Sequence, residues 1–255
     1  MMHFPLMGAG TGIYVDLLAK ELIKRGDEVR VLCSGHEKPN KPYPLDTLLF
    51  KNDNTNVYDV PFDFPVFASH PLSKGKQFGN LSKEERKVYT NAFRKKIANE
   101  IKILKPDLIH VHHGWIIASI VSEYDIPYVI TLHGTEYYAF NTFPEYQEEV
   151  LNGLKAAKKI MALTQKEKDQ AIEAYGLNND DIIIVNSGTD TDLFKPLTID
   201  KSALLNSYNI QPTDQPIVFF GGRMTPQKGL DTLIRAAKIY NNSTINPVTI
   251  LAGDG

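Results

Sequence analysis

Residues 8–33 read G-A-G-T-G-I-Y-V-D-L-L-A-K-E-L-I-K-R-G-D-E-V-R-V-L-C. Ile13, Leu17, Leu18 and Leu22 recur at helical spacing, Arg25 falls in the last turn, and Gly26 stops the helix. The run from Glu28 to Cys33 has the composition of a buried strand. Ahead of the glycines, M-M-H-F-P-L-M reads as the end of a first strand whose beginning is expected to be clipped. Strand, glycine-rich turn, helix and strand make one βαβ unit, and that unit predicts a parallel sheet.

The same alternation continues downstream. Ser82 and Glu85 have the spacing of a capping box, and Tyr89, Phe93, Ile97, Ile101 and Leu104 carry the helical stripe that follows. D-L-I-H-V-H-H at 107–113 and I-P-Y-V-I-T-L-H-G at 126–134 are strands ending in histidine, with a helix expected between them from Gly114 to Tyr124. Glu145 to Lys158 is a helix and Lys159 to Leu163 a strand. Thr164 with Glu167 predicts a second capping box, and Ile182 to Val185 is a strand. The class is therefore α/β, a parallel sheet with helices on both faces. Between Ser34 and Leu81 six prolines recur (39, 42, 44, 61, 65 and 71) and long helices are not expected. Leu48–Phe50 and Val57–Val60 are short-strand candidates there. P-F-D-F-P-V-F at 61–67 reads as core or as the wall of a binding site.

A second alternation begins after Pro216. V-F-F-G-G-R-M-T-P-Q-K-G at 218–229 is a strand, a loop with two cations, and the approach to a helix that runs to Tyr240. The boundary is placed at 196/197, giving a first domain of residues 1–196 and an incomplete second one of 197–255. Pro196 to Pro216 is a linker with a short helix near Ser202 to Tyr208. V-T-I-L-A-G-D-G then closes the sequence on a strand, and a strand-helix-strand of this size cannot cover its own sheet.

Composition excludes several classes. Of the 255 residues 42% are hydrophobic and 23% charged, as in a globular protein. A net charge of -2 gives no reason to expect nucleic acid. The single cysteine, Cys33, rules out an internal disulfide and reads as a buried strand residue. No signal peptide or membrane-length apolar run is visible, so the cytoplasm is the default location.

Four groups of residues could carry chemistry. Gly8, Gly10 and Gly12, with Thr11, lie where ligands bind in open α/β sheets; the pattern is not a full dinucleotide fingerprint, and a plain tight turn is the alternative. His110, His112 and His113 suggest a metal, but strand alternation sends His113 to the opposite face from the other two, and buried histidines satisfied by hydrogen bonds are the better reading. His133, followed on the same rim by Glu136, stands at the ligand edge, to hydrogen-bond a sugar hydroxyl or act as a base; a strand-end histidine facing solvent is the alternative. Arg223 and Lys228, after Gly222 and before a helix N-terminus, suit a diphosphate, while a βα turn with two solvated cations fits the same spacing.

Taken in order, G-T-G-I-Y-V…L-A-K-E-L-I-K-R-G, D-L-I-H-V-H-H, T-L-H-G, N-S-G-T-D-T-D-L-F-K-P and G-G-R-M-T-P-Q-K-G-L-D resemble glycosyltransferase family 4, with the GT-B fold. The resemblance implies two Rossmann-like domains, the first for the acceptor and the second for a nucleotide-diphosphate sugar. It implies sugar transfer to an acceptor hydroxyl with retention of configuration and without a metal or cofactor. By position, Arg223, Lys228 and Gly222 would hold the donor diphosphate, Gly10, Thr11 and Gly12 would form the acceptor and phosphate loop, and His133 would contact the transferred sugar. Arg223, Lys228 and His133 are then the catalytic set. The chain departs from the family at one point: the paired glutamates spaced E-x7-E are missing, since no glutamate follows Glu173. The 255 residues alone are therefore expected to be a poor or inactive catalyst.

Two other classes compete. A non-catalytic module binding a sugar or lipid phosphate would not need the glutamates. A nicotinamide-dependent oxidoreductase is disfavoured by the broken glycine pattern and by Cys33-Ser34 where a ribose carboxylate is wanted. A lipid-linked acceptor would bring the protein to the inner face of the membrane. The helix from Ser82 to Leu104 carries Lys83, Arg86, Lys87, Arg94, Lys95, Lys96 and Lys102 for such peripheral contact. Glu84, Glu85 and Glu100 are interspersed, and a solvated face is the preferred reading.

Overall fold

A computed structural model of the chain describes residues 1–8, 10–54, 56–68, 75–211, 213–224 and 228–253. Pro71 of the proline-rich stretch and Thr225–Gln227 of the cationic loop lie outside the described residues, as do residues 254–255 that close the last stretch. The chain divides into two units, Met1–Asp190 and Thr191–Gly255. Sequence places that boundary six residues later, at 196/197.

In the first unit, α1 (Gly10–Lys24) leads to β1 (Val31–Gly35), which pairs in parallel with β2 (Leu45–Leu49) from Val31↔Leu45 to Gly35↔Leu49. After α2 (Lys83–Leu104) come β3 (Ile109–His112), α3 (Ile116–Val121), β4 (Tyr128–Thr131), α4 (Thr135–Thr142), α5 (Gln147–Lys155), β5 (Lys159–Ala162), α6 (Gln165–Tyr175) and β6 (Ile182–Ile184). Strands β3, β4, β5 and β6 form a parallel sheet in that order. The first two residues join the two sheets. Met2 N donates to Leu32 O (3.0 Å), and His112 N donates to Met1 O (2.8 Å). The spatial order is thus β2, β1, Met1–Met2, β3, β4, β5, β6, a continuous parallel sheet.

Strand alternation then fixes the layers. Val31 and Cys33 pack with Val15 and Ala19 of α1 in one cluster, and Leu32 points the other way into the larger cluster with Phe93 and Ile97 of α2. Helices cover both faces, as the apolar strands required. Cys33 is wholly buried, as expected. Phe64, Val66 and Phe67 are core as well, so 64–67 packs inward.

Three local expectations need correction. Val57–Val60 is not a strand; only Val60 bridges to Phe50. The capping box at Ser82–Glu85 is complete, but at Thr164 only half of it exists. Glu167 turns its carboxylate to Leu163 N (2.5 Å) instead of Thr164 N. Helix α4 was not anticipated. It starts at Gly134, whose φ of +89° breaks the chain direction after β4, and its face of Tyr137 and Phe140 packs around Tyr175.

The second unit contains α7 (Lys201–Ser207), β7 (Ile217–Gly221), α8 (Leu230–Tyr240) and β8 (Val248–Ala252). β7 and β8 pair in parallel across α8, from Ile217↔Val248 to Gly221↔Ala252. The first strand-helix-strand of a second parallel unit is therefore present.

Gly12 and Gly10 separate packing from function in the first turn. A Cβ on Gly12 would collide with the Leu6 carbonyl, whereas one on Gly10 meets nothing within 4 Å. Gly12→Ala should lower stability by about 1–3 kcal/mol, the usual range for overpacking. Gly10→Ala should stay within about 1 kcal/mol of the parent. Urea unfolding of the two variants checks this difference.

Candidate functional site

The carboxyl ends of β3 and β4 meet at one edge of the large sheet. β3 ends at His112, and His113 turns the chain through a left-handed φ of 70°. β4 ends at Thr131, two residues before His133 and the Gly134 turn. His113 keeps the face that alternation assigns to it: its ring meets Phe4 and Phe67 at 5.2 and 5.3 Å, while His112 meets Tyr14 of α1. His133 lies between the two, 4.8 Å from His113 and 5.4 Å from His112. His110 and His112 do share a face, with rings stacked at 4.3 Å.

Hydrogen bonds fix this group. His110 Nε2 lies 2.7 Å from Thr131 Oγ1, and His112 Nδ1 lies 3.2 Å from His133 Nε2. Glu136, fully buried, accepts from His133 N (2.9 Å) with one oxygen and faces His113 Nδ1 (3.2 Å) with the other. Tyr14 of α1 sets its ring edge-on to His112 and His133, at 5.7 and 5.5 Å. Buried His113 Nε2 has no hydrogen-bond partner.

Burial decides the charge states. It pushes His110 and His133 down to about 3 and His112 well below the ordinary range. Burial also works against the Glu136 carboxylate, but the His113 ring outweighs it and holds that group below its usual value. His133 is thus a neutral ring with one donor and one acceptor, not the near-neutral base that its position suggested. Nor is it a solvent-facing strand end: with Nε2 engaged by His112, Nδ1 is its remaining polar atom. A fixed neutral imidazole suits hydrogen bonding to a hydroxyl. Among the described residues, no group of three or more His, Cys, Asp or Glu could hold a metal ion.

The glycine turn is close by. Gly10 and Thr11 open α1, three to four residues before Tyr14. Gly10 is exposed, and Gly12 is filled against Leu6 O, so of the two glycines only Gly10 has open space beside it. A cavity of about 630 Å³ opens at the carboxyl ends of β1 and β2, lined in part by Leu6, Ser34, His36, Asn52 and Phe64. His36 Nε2 is 2.6 Å from Asp63 Oδ1 there. The sequence reading singled out neither residue. A polar Asp63 inside an otherwise apolar P-F-D-F-P-V-F run was the available signal.

In the second unit, Gly222, Arg223 and Lys228 lie on the loop between β7 and α8. Gly222 has φ 153°, and its N–H is taken by Ala252 O at 2.9 Å. It can give a ligand room but not that donor. Arg223 is half-buried and Lys228 exposed. Gly229, with φ 69°, caps the start of α8 without a side-chain bond, so the helix's first N–H groups face the loop.

The model of the family described as Glycosyltransferase Family 4 matches residues 8–193. The chain belongs to glycosyltransferase family 4. Among curated relatives of this family 4 chain, the putative teichuronic acid biosynthesis glycosyltransferase TuaC of Bacillus subtilis is 25% identical, over 98% of this chain and 62% of that protein. A D-inositol 3-phosphate glycosyltransferase of Corynebacterium aurimucosum is 30% identical, over 89% of this chain and 53% of its own length. The chain thus spans only part of the length of the curated relatives it matches. Among solved structures, Anabaena Alr3699/HepE in complex with UDP and glucose superposes with a TM-score of 0.63 at 18% identity, covering 100% of this chain and 60% of that one. That likeness bears out the GT-B-type α/β fold.

The basic face of α2 is partly used inside the protein. Arg94 pairs with Glu123 at 2.5 Å, Lys96 with Asp46 at 3.2 Å, and buried Glu100 with Arg30 at 2.7 Å. Arg86 lies over the Tyr146 ring. Among the described residues no helix is long and apolar enough to cross a membrane.

The neutral histidines give the fold an acid limit. His110 and His133 have folded values near 3 against an ordinary 6.5, so the unfolded chain binds more protons between those values. Stability should be full above about pH 6.5 and fall as pH drops toward 3. The slope approaches roughly 1.4 kcal/mol per pH unit for each histidine. Denaturant unfolding at pH 7.5, 6 and 4.5 checks the sign: a flat profile would remove the case for neutral buried rings.

Proposed function

We infer that this chain carries out, or forms the acceptor-side part of, transfer of a sugar from a nucleotide-diphosphate donor to an acceptor hydroxyl, with retention at the anomeric carbon. The observation that carries this reading is the family 4 match over 8–193, followed by an Arg223/Lys228 loop at the carboxyl end of β7. The named relatives are glycosyltransferases, and the Anabaena protein has been crystallised with UDP and glucose.

The chemistry follows from charge. The bond between the anomeric carbon and the diphosphate oxygen breaks, and negative charge grows on the leaving diphosphate. Arg223 as a fork and Lys228 as a point charge stabilise that growth, which lowers the barrier. They do the work that a divalent cation would otherwise do. The acceptor oxygen bonds to the same carbon on the same face, and its proton passes to the leaving phosphate. His133, neutral, hydrogen-bonds a hydroxyl of the transferred sugar. Gly10 and Thr11 border the acceptor. The alternative, a non-catalytic module binding a sugar or lipid phosphate, would keep the N-terminal domain alone and turn nothing over.

Lys228→Ala should weaken binding of a nucleotide-diphosphate sugar roughly 10–100-fold, the loss of one charge-assisted contact. Lys238→Ala, an exposed cation on α8 outside the loop, should leave it unchanged. Calorimetric titration of both variants decides whether the loop or general positive charge binds the donor. In a progress assay the 255 residues alone should turn over slowly, because no glutamate follows Glu173 to hold the donor sugar and ribose. Robust turnover would contradict that part, and an inverted product anomer would contradict retention.

A further inference from the structure

A second polar site lies on the same sheet edge as the histidines, in the cavity of about 630 Å³ at the carboxyl ends of β1 and β2. Its volume is within the roughly 300–1,000 Å³ of small-molecule sites. Loops leaving the strand ends build it. His36 follows the last residue of β1, Asn52 lies three residues beyond β2, and Leu6 and Met7 lead into the glycine turn. Leu6, Pro39 and Phe64 supply apolar wall.

The polar groups here are oriented. Asp63 Oδ1 accepts from Phe64 N at 2.8 Å and from His36 Nε2 at 2.6 Å. A carboxylate only accepts, so Nε2 carries the hydrogen and Nδ1 is the ring atom left for a ligand. The ring leans on Phe64, with centroids 5.0 Å apart, which restrains its plane. Asn52 is set in a similar way: its Oδ1 accepts from Asn54 N at 2.9 Å, and its amide NH2 remains to donate. The cavity thus offers one acceptor and one donor group, a pair that hydroxyls satisfy because each can both donate and accept. Charge points the same way. Among the described lining residues there is no Lys or Arg, and Glu37 stands at the exposed rim. Even with hydrogen on both ring nitrogens, the charge of His36 is cancelled by Asp63.

We propose that this cavity binds an uncharged pyranose ring of the acceptor, and that His36, held by Asp63, selects such acceptors over phosphorylated ones. The assignment rests on the sugar transfer inferred above. Hydroxyls of the ring bond to His36 Nδ1 and the Asn52 amide, while its C–H faces lie against Leu6 and Phe64. A phosphate on the ring would bring negative charge beside the carboxylates of Glu37 and Asp63, with no cation among the described lining residues to meet it. Met7 is three residues ahead of Gly10, which puts a ring held here beside the turn assigned to the acceptor.

Amide chemical-shift mapping on the 255-residue chain tests this, with methyl α-glucoside, methyl α-mannoside, methyl α-galactoside and N-acetylglucosamine, each against its 6-phosphate. At least one uncharged sugar should shift Gly35, His36, Asn52 and Phe64 saturably, and its 6-phosphate should bind there at least about tenfold more weakly. His36→Ala should weaken the sugar roughly 3–10-fold, the loss of one neutral hydrogen bond. Asp63→Asn keeps an oxygen for Phe64 N but removes the charge, and should narrow the preference against phosphate. A 6-phosphate that binds as tightly as its parent sugar would overturn the proposal. So would a cavity that none of the sugars shifts, or sugar binding that both variants leave unchanged. UDP-glucose separates this from the transfer itself. Shifts at Lys228 with a silent cavity would remove only the cavity assignment, whereas a sugar in the cavity without UDP-glucose binding would remove the transfer and keep the selectivity.

Discussion

The architecture hangs on a few main-chain hydrogen bonds made by Met1 and Met2. They reach Leu32 on one side and His110 and His112 on the other. Through them a two-stranded ladder and a four-stranded one become a single parallel sheet. Everything at the carboxyl edge depends on that alignment. Tyr14, carried by the helix that follows the first strand, meets His112 and His133, which end the strands on the far side of the junction.

Burial then sets the chemistry of this edge. A cluster of histidines in a dry sheet end cannot stay charged, and the rings at 110, 112 and 133 are held neutral. Only Glu136 keeps a charge-favouring environment, through His113, and its other oxygen pins the His133 backbone. The first unit therefore presents fixed hydrogen-bonding groups rather than an acid and a base. In the second unit Arg223 and Lys228 sit at a strand end ahead of a helix start, where anions are favoured. In the proposed sugar transfer, the second unit would handle charge and the first hydroxyls.

Much of this was legible in the sequence. The helices over Ile13–Leu22 and Tyr89–Leu104, the Ser82–Glu85 box and the strand end at His112 follow from local periodicity and capping, although α1 buries Val15 and Ala19 and leaves Ile13 of its expected stripe exposed. The site was legible only in outline. His133 was found by its place at a strand end, but its neutrality depends on burial among distant rings, which no local pattern encodes. Helix α4 escaped notice because its start is set by a glycine turn rather than a cap, and its packing face by Tyr175, more than thirty residues away. The His36–Asp63 pair joins two loops twenty-seven residues apart, and the polar Asp63 in an apolar run was its one local signal. Gly12 was placed in the acceptor and phosphate loop by resemblance; a side chain there is barred by the Leu6 carbonyl, a packing reason no local pattern shows.

The central claim is that the loop after β7 is where this family 4 chain meets a donor diphosphate. Amide chemical-shift mapping during titration with UDP-glucose tests it most directly. The account predicts progressive shifts at Gly222, Arg223, Lys228 and Gly229 and at the first turn of α8, weakening as salt is raised. A titration that leaves those amides unmoved, while UDP-glucose binds elsewhere in the chain, would contradict it.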